Sequence, residues 1–160
     1  MLSDLKLVIR LQEIDNRLAD LNREISALPV HIAEIEKKLI SHERKLEADR
    51  AALAANQKER KKCDADIQIQ DQKISKLKDQ TLQAKTNDQY RAFQNEIEFC
   101  QAEVRKCEDR ILELMSESEP LDRNVKAAEA ALKAEKADVE AEKQQTRERT
   151  AEDQKPRRSY

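Results

Sequence analysis

Glycine does not occur once in 160 residues. Average usage would give it about 7%, so the departure is strong and a glycine-rich phosphate loop is excluded. Aromatic residues are 2% of the chain and proline occurs three times. No run of about 18 apolar residues exists, which excludes a helix spanning a membrane. The first residues, MLSDLKLVIR, have no signal-peptide architecture. Cysteine occurs three times, without any C-x-x-C pair. That gives no disulfide framework, and both points suggest a reducing, cytoplasmic setting. Charge of one sign is also missing: 31 basic residues face 33 acidic ones, a net of −2. A protein that coats a polyanion would be clearly basic. No nucleophile–base pair and no metal-catalysis pattern stands out. The chain is therefore expected to be neither an enzyme nor the holder of a cofactor.

What the chain does have is a repeat. Core-type residues recur at alternating steps of four and three: Leu7, Leu11, Ile14, Leu18, Leu21, Ile25, Leu28, Ile32, Ile35 and Leu39. The same count continues through Leu46, Leu53, Cys63, Ile67 and Ile74 to Leu77. A sustained period of 3.5 is the pattern of a left-handed coiled coil. Charged residues make up 40% of the chain, but a disordered chain would lack periodic leucine and isoleucine. The apolar stripe is narrow, which argues against a compact globule and leaves little interior for a catalytic pocket.

With Leu11 as position a and Ile14 as d, the phase dissolves after Leu77 into KDQTLQAKTND. A second phase opens at Tyr90, with Ile97, Val104 and Ile111 at a and Phe93, Cys100, Cys107 and Leu114 at d. Thr86-Asn87-Asp88-Gln89 between them fits a capping box, with Thr86 at N-cap and Gln89 reaching back. The expectation is all-α: a long antiparallel two-helix coiled-coil hairpin over 1–150, kinked near Pro29 and Pro120. Helix 1 is placed at about 3–79, the tip at about 80–87, helix 2 at about 87–149, and a disordered tail at 151–160. One continuous helix in a parallel dimer is the alternative. Folding about residue 84 sets Cys63 near 105–107 and places His42, Asp49 and Asn56 opposite roughly Lys126, Glu119 and Leu112.

Two surfaces stand out. At the base, the stripe of Leu7, Leu11, Ile14, Leu18, Leu21 and Ile25 would face residues beyond about 140, which are polar. It needs another surface, such as a second copy, a further domain or a partner. At the tip, Lys73, Lys76, Lys78, Lys85 and Arg91 face only Asp79 and Asp88, a local charge of +3. Tyr90, Phe93 and Phe99 lie at or just past its end. Aromatic and basic residues together suit protein or RNA recognition. The candidate contact residues are Lys78, Lys85, Asn87, Gln89, Tyr90 and Arg91, with Thr86 holding the turn and Phe93 locking it to the core. The plainer reading is that Tyr90 and Phe93 only close the coiled coil. Cys63, Cys100 and Cys107 are read as small core residues, and a three-cysteine site as the alternative. His42 falls in the seam and His31 on the surface, while Lys58 to Lys62 reads as a solvated charge run.

The segment Lys85-Thr86-Asn87-Asp88-Gln89-Tyr90-Arg91-Ala92, continuing to Glu98, resembles a K-T-N-x-E-Y-x-A-x-x-x-E-I-E stretch. That stretch belongs to a bacterial family with a long coiled-coil hairpin followed by a C-terminal four-cysteine zinc ribbon. Leu11-Gln12-Glu13-Ile14-Asp15 and Leu28-Pro29 are similar to its first helix, and Gln89 stands where the pattern has glutamate. The resemblance implies an accessory protein of flagellar biogenesis or type III secretion. It also implies contacts with the enhancer-dependent sigma factor or export components, and in one case messenger RNA. The ribbon's paired cysteines are absent from these 160 residues, so zinc is expected only in a longer form. Together these readings point to a cytoplasmic adaptor or chaperone-like protein that binds other proteins. An RNA- or ribosome-associated factor is the rival, and a structural oligomerisation rod the third reading.

Overall fold

The computed structural model describes residues 1–154 of the chain, and these form two helices, α1 (Leu2–Leu82) and α2 (Asn87–Gln154). The composition explains their length. With no glycine to loosen the backbone, the only interior helix breakers are Pro29 in α1 and Pro120 in α2. Each removes one donor from the helical ladder, and both helices continue past them. Asp4 and Asp88 sit in the first turns, where an acidic side chain complements the helix dipole. α1 runs to Leu82, three residues beyond its expected end at about 79. α2 reaches Gln154, four residues into the segment expected to be disordered. The rest of that segment, 155–160, lies outside the described residues.

The chain divides into two compact units. One is Lys45–Ala130, the other Met1–Arg44 with Ala131 onward. The Lys45–Ala130 unit holds the seam. Leu46, Cys63, Ile97, Cys100, Leu114, Val125 and Ala128 are buried there, and Leu114 is only 1% exposed. Burying a side chain of that size contributes about 1.5–3 kcal/mol. Asn56 is buried among them and donates from Nδ2 to the Leu114 carbonyl at 2.9 Å. Arg110 grips Glu59 with two hydrogen bonds, Nε to Oε1 at 2.8 Å and Nη2 to Oε2 at 3.2 Å. Arg50 meets Glu129 at 3.2 Å. Asn56 was expected opposite Leu112 and instead meets Leu114, so the true register lies two residues further along α2. α1 ends at Leu82 and α2 begins at Asn87, which centres the turn between residues 84 and 85.

The other unit is thinner. Ile35, Leu39, His42, Leu132 and Val139 are half-buried, and among its described residues none is fully buried. His31 Nε2 lies 2.9 Å from Glu142 Oε2. Leu28 and Ile32 share an open groove of about 470 Å³ with Val139, Glu142 and Thr146.

Candidate functional site

The tip is built by backbone chemistry at both helix ends. α1 closes with tighter bonds, from Gln83 N–H to the Gln80 carbonyl at 3.0 Å and from Ala84 N–H to the Thr81 carbonyl at 3.1 Å. Thr81 Oγ1 adds a bond to the Leu77 carbonyl at 2.8 Å. No described residue has a positive φ, so the turn is made without the left-handed cap that glycine usually supplies. α2 opens on Thr86. Its Oγ1 accepts from the Gln89 N–H at 3.1 Å, and its carbonyl accepts from the Tyr90 N–H at 3.1 Å. Gln89 reaches back, but one residue further than a standard box: its Oε1 accepts from the Lys85 N–H at 3.0 Å. The turn is therefore held by Thr86 and Gln89 through donors the backbone would otherwise leave unpaired.

These bonds leave most tip side chains free. Lys78, Lys85, Thr86, Asn87, Gln89 and Arg91 are exposed, and Tyr90 is 52% exposed. Phe93 is half-buried and lines a shallow hollow of about 390 Å³ with Gln80, Gln83, Ala84, Gln89 and Ala92. Gln89 and Phe93 thus share one surface. Two apolar residues stand outside the candidate contact residues read from the sequence. Leu82 is 86% exposed, at the last residue of α1. Phe99 is 66% exposed and lines an open groove of about 560 Å³ with Lys73, Lys76, Gln80 and Asn95. Phe99 falls at a c position, and an aromatic residue outside the a/d seam was the available signal. Leu82 carries none, since the heptad phase has already dissolved there.

At the base, Leu7, Leu11, Ile14, Leu18, Leu21, Ile25 and Leu28 range from 45% to 62% exposed. Residues 140–150 of α2 are exposed as well, and none is larger and apolar beyond Ala141.

The remaining candidates have ordinary surroundings. Cys63, Cys100 and Cys107 are free thiols, the first two buried and the third half-buried. Burial pushes the Cys107 thiol up from its usual range, and Cys63, Asp66 and Glu103 add to the effect. A raised thiol is a poor nucleophile and a poor metal ligand. No group of three or more His, Cys, Asp or Glu among the described residues is placed to hold a metal ion. Glu59 in the basic run is taken by Arg110, whose hydrogen bonds hold the Glu59 carboxyl below the usual carboxylate range. No helix among the described residues is long and apolar enough to cross a membrane.

A family model for the CT398-like coiled coil hairpin domain matches residues 11–159. No curated protein and no solved structure matches the chain.

Proposed function

Because this chain belongs to the CT398-like coiled-coil hairpin family, we propose that it is a non-enzymatic, chaperone-like adaptor of the cytoplasm that binds a protein partner through its tip. The observation that carries this reading is the division of labour at residues 82–91. Thr86 and Gln89 fix the turn through the backbone, while Lys85, Tyr90, Arg91 and Leu82 stand in water. An exposed aromatic and an exposed leucine inside a basic patch suit an acidic partner with an apolar contact. The apolar groups anchor, and the lysines and arginine set approach and orientation. The likeness of the tip sequence to flagellar and type III secretion accessory proteins makes an export component or a sigma factor the partner to try first.

The test is Lys85→Glu with Arg91→Glu in the full chain. Helicity and melting should stay close to wild type, since exposed substitutions usually change stability by within about 0.5 kcal/mol. Partner capture from nuclease-treated extract should fall at least tenfold. Capture that vanishes with nuclease alone would assign the tip to RNA. Undiminished capture by the double variant, in an assay where deletion of residues 1–28 abolishes it, would move the functional site to the base.

A further inference from the structure

The a and d side chains Leu7, Leu11, Ile14, Leu18, Leu21 and Ile25 form three unbroken heptads, each side chain 45% to 62% exposed. Apolar a and d positions kept over three heptads beside charged edges are the pattern of a helix that pairs with another helix. α2 is not that helix. It lines the face at Leu28 and Ile32 with Glu142, Lys143 and Thr146, and its described side chains past Val139 include no large apolar one. Leu2, Leu5, Val8 and Ile9 are also about half exposed or more, so the first turns of α1 are apolar on more than the seam side. A helix apolar on several sides is normally enclosed.

The edges of the stripe say what encloses it. Arg10, Arg17 and Glu24 hold the g positions, and Val8, Asp15 and Asn22 the e positions. In a parallel pair in register, each g residue faces the e residue five places on in the other helix. Arg10 then meets Asp15 and Arg17 meets Asn22, with no like charges opposed. An antiparallel pair over the same three heptads sets Arg10 against Glu24 at each end, but Asp15 against Asp15 and Arg17 against Arg17 at its centre. Like charges across a seam disfavour that register. We propose that the Leu7–Ile25 face binds a second copy of this chain, parallel and in register, with Arg10 of each copy against Asp15 of the other.

Sedimentation of the full chain at about 10–100 µM tests this. The wild type should run at twice the chain mass. Ile14→Asp with Leu21→Asp should run at the single mass with unchanged helicity, because both side chains are exposed within one chain and the added charges stay in water. Asp15→Arg should raise the dissociation constant at least tenfold, and adding Arg10→Asp should restore it. A wild type at the single mass would overturn the proposal, as would an Ile14/Leu21 variant that still runs at twice the mass. Unchanged association by Asp15→Arg, the result an antiparallel seam gives by exchanging one like-charge pair for another, would overturn it too, as would a charge swap that fails to restore pairing.

Discussion

Arg110 shows what one side chain does in a protein with so little interior. Its guanidinium holds Glu59 on α1 at 2.8 and 3.2 Å, Glu113 on its own helix at 2.9 Å, and lies 3.7 Å from Glu117. The fork matches the carboxylate of Glu59 with two bonds, which fixes register better than a single contact would. Glu59 titrates below the usual carboxylate range because of the Arg110 hydrogen bond. A depressed carboxylate stabilises the folded state above its unfolded pKa, and that contribution is lost as pH falls through the folded pKa. Arg110→Gln should therefore lower stability at neutral pH and remove part of the acid-side slope, leaving variant and wild type closer at pH 3 than at pH 7. Urea midpoints across that range measure it, and parallel curves would show that the pair adds nothing. Asn56 works differently. Its Nδ2 reaches the Leu114 carbonyl, while its buried Oδ1 has no hydrogen-bond partner. Leaving such an acceptor unpaired costs about 1–3 kcal/mol, and a polar residue in a seam selects register at a cost in stability. Asp49 is a milder case: its Oδ2 lacks a hydrogen bond, yet Lys45 Nζ stands 3.5 Å away as an ion pair.

At the scale of the element, the start of α2 rests on a few local bonds. Thr86 Oγ1 satisfies the Gln89 N–H, and Gln89 Oε1 satisfies the Lys85 N–H. Thr86→Ala removes the cap oxygen and should cost about 1 kcal/mol, read as a lower urea midpoint with an unchanged m-value. Faster hydrogen exchange should appear at the amides of residues 87–90 and leave Leu114 protected, since Leu114 lies deep in the seam. Exchange that accelerates evenly along α2 would mean the cap supports the whole helix rather than its first turn.

At the scale of the whole molecule, the two helices are joined by a turn between Leu82 and Asn87. Spin labels at Lys58 and Asp109 should report a short distance within one chain, since these positions neighbour the Glu59–Arg110 pair and packed helix axes lie about 8–10 Å apart. Along one continuous helix the same labels would be about 75 Å apart. Dilution with unlabelled chain separates the intrachain signal from any between copies, and a distance that disappears on dilution would refute the hairpin.

The repeat, the absence of glycine and the Thr86 cap carry the helices and their break, because helix formation and capping depend on residues within a turn or two. Periodicity marks which residues face a partner helix, and it does so from one chain alone. It does not settle how much water each loses. Leu18 and Leu114 are the same residue type at core positions of the two heptad phases, yet one is 53% exposed and the other 1%. The difference lies in what stands across the seam, which is a property of two segments far apart in sequence. The shift that gives Asn56 to Leu114 has the same origin, since it depends on where α1 closes at Gln80 and Thr81 and on how two distant segments then pack. Phe99 in its groove beside Lys73 and Lys76 likewise exists only once both helices are in place, because burial and proximity are decided by packing and no single helix contains them.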